Sequence, residues 1–216
     1  SLIVVSSKTL IPELLKIPFI RVDNVRKELS LTAHLFYKSN IKTKIAVTGT
    51  NGKTSITFFL KYLLTKLNKK TISVGTLGFS SSRKNVNLTS PDPISLFKEL
   101  KLASSQNHKI LVMETSSHGL DQERFFGLKF DLSILTNISH DHLDYHRTMK
   151  HYIKSKAKLF TEYTNDNGKT LINADSKYLK AFKSEIKINK KLKPIYFNLN
   201  NNFKVDSIHR SENGTD

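Results

Sequence analysis

The chain has 216 residues, 35 Lys plus Arg against 18 Asp plus Glu, a formal net charge of +17, and neither Cys nor Trp. That length allows one domain and part of another at roughly 150 residues each, and the lack of Cys excludes disulfides, thiolate metal sites and a cysteine nucleophile. No run approaches the roughly 18 consecutive apolar residues of a membrane span, so the sequence reads as soluble and cytoplasmic.

Residues 1–39 hold Pro12, Pro18 and one short helix candidate at 25–37, too little for a core of their own, and read as the end of a preceding domain. A Lys-Ser-Asn linker at 38–40 leads into a main domain at 40–216. There the apolar run 44–48 reads as a strand and 54–67 as a helix, carrying Phe58, Phe59, Leu63, Leu64 and Leu67 at helical spacing. Further strands are expected at 71–74, 110–114, 132–136, 170–173 and 194–197, and helices at 93–104 and 150–160. Polar loops fall between 78 and 92 and between 137 and 148, and after 198 the pattern fades. Apolar strands alternating with helices imply an α/β fold, a mostly parallel sheet with helices on both faces and its ligand site at the strands' carboxyl ends.

The positive charge would suit a polyanion. Lys61, Lys66, Lys69, Lys70, Lys183 and Lys187 are nevertheless scattered without interleaved aromatics, so the expectation is a solvated Lys-rich surface and no nucleic-acid partner. A Lys-rich binding module is the weakest of the function classes considered.

Three motifs carry chemistry. The first is Gly49-Thr50-Asn51-Gly52-Lys53-Thr54-Ser55, between a strand and a helix. Backbone N–H groups of such a loop surround phosphate oxygens, the lysine reaches the terminal phosphates and the threonine hydroxyl ligates magnesium. It departs from the common G-x-x-x-x-G-K-[ST] pattern in having Val47 where the first Gly would stand. The second is Glu114-Thr115-Ser116-Ser117-His118-Gly119-Leu120, whose carboxylate at a strand end is placed to hold magnesium directly or through water. The third, residues 136–146, gathers His140, Asp141, His142, Asp144 and His146. Three histidines and two aspartates there suggest a dinuclear zinc hydrolase as a rival, although that reading leaves the phosphate loop unexplained.

In this order the motifs resemble the Mur ligase family, in particular members that add the third residue to the UDP-N-acetylmuramoyl peptide of bacterial cell walls. The resemblance covers about residues 20–200 and implies the P-loop type central domain of that family. It implies an ATP-dependent ligase that joins meso-diaminopimelate or L-lysine to UDP-N-acetylmuramoyl-L-alanyl-D-glutamate through an acyl phosphate. It further implies that Gly49, Thr50, Asn51, Gly52, Lys53, Thr54 and Ser55 bind ATP, and that Lys53, Glu114, His142 and Lys156 are the catalytic set. Thr54, Glu114, His142 and a carbamylated Lys156 would hold two magnesium ions. On a helix Lys154 and Lys158 point roughly 200° away from Lys156, so only one of the three can face the site.

Thr89-Ser90-Pro91-Asp92 resembles the family's T-T-P-D segment; Thr89 and Ser90, with Ser116, Gln122 and Arg124, would bind the UDP-muramoyl substrate. His140 departs from the family pattern and receives no role. The resemblance implies a fragment: only the end of the amino-terminal UDP-binding domain, a central domain incomplete at its carboxyl end, and no carboxyl-terminal domain. A monomer is expected. A folylpolyglutamate synthetase-like ligase, sharing the loop and the acyl-phosphate chemistry, is the alternative, against which the Ser-Ser-His-Gly-Leu segment weighs.

Overall fold

A computed structural model describes residues 3–12, 16–81, 89–187, 189, 191, 193–197, 210–211 and 214–215. The middle of the loop expected between 78 and 92, and most of the chain after 198, lie outside the described residues. The chain opens with two strands, β1 (Ile3–Ser6) and β2 (Phe19–Val22), paired in parallel apart from the main sheet. Helix α1 (Val25–Phe36) follows, capped by the Asn24 side chain, which accepts from Lys27 N–H.

The main unit then alternates as its apolar periodicity requires: β3 (Thr43–Thr48), α2 (Lys53–Lys66), β4 (Thr71–Gly75), β5 (Gly78–Phe79), α3 (Pro93–Ser105) and β6 (Ile110–Glu114). After these come α4 (Ser117–Asp121), β7 (Phe130–Leu135), α5 (Leu143–His146) and α6 (Met149–Lys158). A π-helical turn (Leu159–Tyr163), β8 (Thr164–Asn173), α7 (Leu179–Ile186) and β9 (Pro194–Phe197) complete it. Seven strands form one sheet in the order β5-β4-β6-β3-β7-β8-β9. All its pairings are parallel except the short β4–β5 hairpin. The chain runs from β3 outward to β4, returns to β6 between them, and then crosses to β7 on the far side of β3. That reversal leaves a crevice at the carboxyl end of β3, the place where sheets of this kind bind ligands.

The two faces are covered unequally. On one, Ala46, Ile72, Val74, Leu111, Met113 and Leu135 meet Leu96, Phe97 and Leu100 of α3, Tyr152 and Ile153 of α6, and Phe182 of α7 in one continuous core. On the other, Ile45, Val47, Val112 and Ile134 pack against Ile56, Leu60 and Leu64 of α2. The expected α2 stripe is therefore rotated. Leu64 does face the sheet, but Phe58, Phe59, Leu63 and Leu67 are all more than half exposed.

Helix α1 is not separate from the main unit. Its Ala33 joins the core, His34 stacks edge-on against Phe97, and the Ser30 hydroxyl donates to the Arg124 carbonyl. Among the described residues no helix is long and apolar enough to cross a membrane.

Candidate functional site

Residues 49–52 carry the chain from β3 into α2 as a tight loop. Gly52, the residue before the helix, has φ +80°, and Gly49 has φ +153°. A Cβ on Gly49 would lie 1.8 Å from Thr136 Oγ1 and 3.1 Å from the Asn137 backbone, so only glycine lets the loop sit against the end of β7. From that side Asn137 O accepts from Thr50 N–H and Asn137 Oδ1 from Asn51 N–H, each at 3.0 Å. The Thr136 hydroxyl and the Asn137 amide both donate to the Asn51 carbonyl. The loop is thereby fixed, and the first N–H groups of α2, which have no intrahelical acceptor, face out of it.

The carboxylate of Glu114 ends β6 beside this loop at 1% exposure. Its Oε2 accepts from the Thr54 hydroxyl at 2.9 Å and from the Thr76 hydroxyl at 3.2 Å, and its Oε1 from Thr76 N–H at 2.9 Å. Gly75 makes room for it, since a Cβ there would lie 2.1 Å from Oε1. A buried carboxylate in contact with the loop threonine hydroxyl is a hard oxygen pair of the kind that holds magnesium.

Two lysines converge behind the loop. Lys53 Nζ donates to the carbonyls of Gly49 and Thr50, at 3.0 and 2.8 Å. Lys156 Nζ, on α6, donates to the same Gly49 carbonyl at 2.8 Å and lies over the Tyr152 ring. Lys156 is 1% exposed; its burial, and secondarily the charge of Lys53, hold its amine well below the usual lysine range, with Asp141 opposing. Burial lowers Lys53 as well, against the pull of Glu114 and Asp141. The helical argument about the three lysines holds: Lys154 is exposed and Lys158 pairs with Glu123 Oε1 at 2.7 Å.

His142 begins α5 in the left-handed region, φ +51°, with its ring 4.8 Å from that of His118 and 6.4 Å from that of Tyr152. Tyr152 OH in turn is 3.0 Å from Thr50 Oγ1, which ties α6 to the loop. The three histidines of the zinc-hydrolase reading do not gather. His140 is exposed and His142 faces His118, while His146 is 2% exposed and turned toward His151 and Asp121. The physical reason is the αL turn at His142, which sends the next turn of chain into the space between α4 and α6.

The five residues expected to bind substrate also come together. Arg124 donates to the Ser90 carbonyl and, through Nε and Nη2, to Gln122 Oε1 at 3.0 and 2.7 Å. Ser90 is buried and its hydroxyl accepts from Ser116 N–H at 3.0 Å, while Ser116 Oγ caps α4 through Gly119 N–H. Both serine side chains are thus engaged within the protein, while Thr89, Gln122 and Arg124 are half-buried. Sequence reasoning assigned no role to Thr76, Asn137 or Tyr152, whose importance comes from long-range pairing; Asn137 and Tyr152 lay within the stretches that carry the family resemblance, and Thr76 had only its place just after an expected strand as a signal.

Comparison with known proteins supplies the remaining findings. Residues 47–216 match the model of the Mur ligase middle domain. The chain is 40% identical over 166 residues to the UDP-N-acetylmuramoyl-L-alanyl-D-glutamate–2,6-diaminopimelate ligase of Bradyrhizobium diazoefficiens, covering 76% of this chain and 34% of the relative. It is 34% identical over 199 residues to the enzyme of the same name from Rickettsia bellii, covering 89% and 42%. The chain therefore spans about a third to two fifths of the length of these curated relatives. A solved structure of a ligase of that name superposes with TM-score 0.74 at 26% identity, over 94% of this chain and 43% of the other. A folylpolyglutamate synthase from Mycobacterium tuberculosis, complexed with ADP and AMPPCP, superposes with TM-score 0.61 at 15% identity, over 79% and 46%, a likeness of fold alone.

Proposed function

The chain belongs to the Mur ligase family, and from that premise we propose that it carries the nucleotide site of an ATP-dependent ligase joining an amino acid to UDP-N-acetylmuramoyl-L-alanyl-D-glutamate. The observation that carries the reading is the 2.9 Å contact between the Thr54 hydroxyl and the buried Glu114 carboxylate at the mouth of a glycine loop. In this reading the N–H groups of Gly49–Ser55 take the phosphate oxygens of ATP, and Lys53 exchanges its loop carbonyls for the terminal phosphate.

Thr54, Glu114 and His142 would hold magnesium, and the donor set fits: a hydroxyl, a carboxylate free of any cationic partner among the hydrogen bonds described above, and an imidazole at the rim. Bound magnesium neutralises charge on the transferring phosphoryl group. Burial holds the Lys156 amine well below the usual lysine range, which favours the unprotonated form that adds to carbon dioxide. The C–N bond forms as one C=O bond of carbon dioxide opens to C–O− and the nitrogen loses a proton; the resulting carbamate would be an anionic oxygen ligand able to hold a second magnesium.

The dipeptide's terminal carboxylate attacks the γ-phosphorus and ADP leaves. The amine of the incoming amino acid then attacks the acyl carbon and expels phosphate. Arg124, Gln122 and Thr89 contact the UDP-muramoyl substrate, Arg124 through its anionic groups, while Ser90 and Ser116 hold the backbone that presents them. The amino acid is diaminopimelate or lysine, and the names of the relatives favour the former. Residues 1–39 close a UDP-binding domain whose last helix, α1, is packed onto the ATP-binding one, 40–216 form most of that ATP-binding domain, and the protein is a cytoplasmic monomer.

The test is ADP release by the longer protein that contains this chain. It should require UDP-N-acetylmuramoyl-L-alanyl-D-glutamate together with diaminopimelate or lysine. ADP release indifferent to both substrates overturns the reading.

A further inference from the structure

His146, the buried histidine of the His/Asp segment, has no place in the site just described. His146 ends α5, Asp121 ends α4 and His151 lies in the first turn of α6. One ligand atom from each lies within 4.8 Å of the others. His146 Nδ1 and His151 Nδ1 are 3.3 Å apart; two zinc–nitrogen bonds meeting at the tetrahedral angle place their nitrogens about 3.4 Å apart. His151 Nε2 is 3.3 Å from Asp121 Oδ1, and the His151 side chain is 47% exposed, so its ring can turn to present either nitrogen. Ser155 Oγ adds an oxygen 3.1 Å from Asp121 Oδ1 and 3.5 Å from His146 Nδ1.

His151 Nδ1 also lies 3.2 Å from the His146 carbonyl, so that carbonyl, His146 Nδ1 and the Asp121 carboxylate all converge on one imidazole. His146 Nε2 is buried with no hydrogen-bond partner among the described residues. Two ring nitrogens 3.3 Å apart, with a carboxylate oxygen 3.3 Å from the second ring, are a donor set that one cation can take in place of a shared proton.

We infer that Asp121, His146 and His151 form a site for one divalent transition-metal ion of the zinc class, which staples α4, α5 and α6 together behind the loop that presents His142. Two imidazoles with one carboxylate suit zinc and its neighbours, whereas magnesium seeks octahedral oxygen, so this site is chemically distinct from the one at Thr54 and Glu114. Burial, followed by the charge of His118, lowers the His146 pKa to about 4, so at neutral pH it is a ligand with no proton to shed. Burial opposes ionisation of Asp121, but hydrogen bonds from Tyr145 and Ser155 and the charge of His151 outweigh it and hold the carboxyl below its usual range. The Tyr145 hydroxyl, donating to Asp121 Oδ2 at 2.9 Å, orients the carboxylate as outer-shell donors do in metal sites.

The test is titration of the chelator-stripped chain with Co(II) in excess magnesium. One equivalent should bind with the ligand-field absorption of a low-coordinate nitrogen site, and zinc should displace it. His151→Ala, at a half-exposed position that the fold tolerates, should weaken binding at least about a hundredfold, and Glu114→Gln should leave it unchanged. If the wild type gives no such absorption, or if His151→Ala binds cobalt as tightly and with the same spectrum, the three residues are an ion pair with a neighbouring neutral histidine and the inference falls. The outcome does not depend on which reaction the protein catalyses.

Discussion

Helices α2 and α3 carry comparable sets of large apolar residues, yet α3 buries Leu96, Phe97, Leu100 and Ala103 while α2 leaves Phe58, Phe59, Leu63 and Leu67 in solvent. The difference lies at their starts. Helix α3 begins at a conventional Asp92 cap and is free to turn its widest apolar stripe to the sheet. Helix α2 begins at Gly52 in the left-handed region, and its rotation is set by the need to place Thr54 against Glu114. A narrower stripe of Ile56, Leu60 and Leu64 then has to serve as its inner face. Packing fixes one helix and the glycine loop fixes the other.

The sharpest contrast should come from truncating one phenylalanine on each helix. Phe97→Ala is expected to lower unfolding free energy by about 3–5 kcal/mol, the range for a fully buried aromatic, as measured by urea denaturation. Gly49→Ala attacks what sets the pose of α2. The added Cβ would fall 1.8 Å from Thr136 Oγ1, so a loss of about 2–4 kcal/mol is expected from strain and displacement, together with at least tenfold weaker nucleotide binding by calorimetry.

A third effect belongs to the polar edge. His146 titrates near its usual 6.5 when unfolded and at about 4 when folded. Between those values the unfolded chain holds the extra proton, so the metal-free chain should lose stability as pH falls from about 6.5 to about 4. Denaturation midpoints that stay constant across that window would contradict it. Phe59→Ser should do least, with a change within about 0.5 kcal/mol; a loss as large as that of Phe97→Ala would erase the contrast between the helices.

The alternation of strand and helix was legible because β3 and β6 hold short unbroken apolar runs and β4 and β7 are mostly apolar, as strands covered on both faces are. Element rotation was not. Five apolar residues at helical spacing mark a helix without saying which side a neighbouring loop will force inward. Helix α4 is five residues long and β5 two, too short for any period, and the first half of β8, Thr-Asn-Asp-Asn-Gly, is polar. The parallel β1–β2 pair was missed for the same reason of brevity.

In the site, the glycine loop and Glu114 were readable from local spacing, whereas helical spacing said only that one of Lys154, Lys156 and Lys158 could face the site and the choice of Lys156 came from the family resemblance. Thr76 and Tyr152 were not readable, because their partners lie 38 and 102 residues away. The histidines misled by adjacency in sequence: His142 and His146 are four residues apart, yet one lies at the rim and the other in the interior.

The central claim is that a cation between Thr54 and Glu114 joins the triphosphate to the sheet. The most direct measurement is calorimetric titration of a non-hydrolysable ATP analogue into the chain, with and without magnesium, for the wild type and Glu114→Gln. Magnesium should strengthen binding to the wild type and have little effect on the variant; equal magnesium dependence in both would contradict the claim.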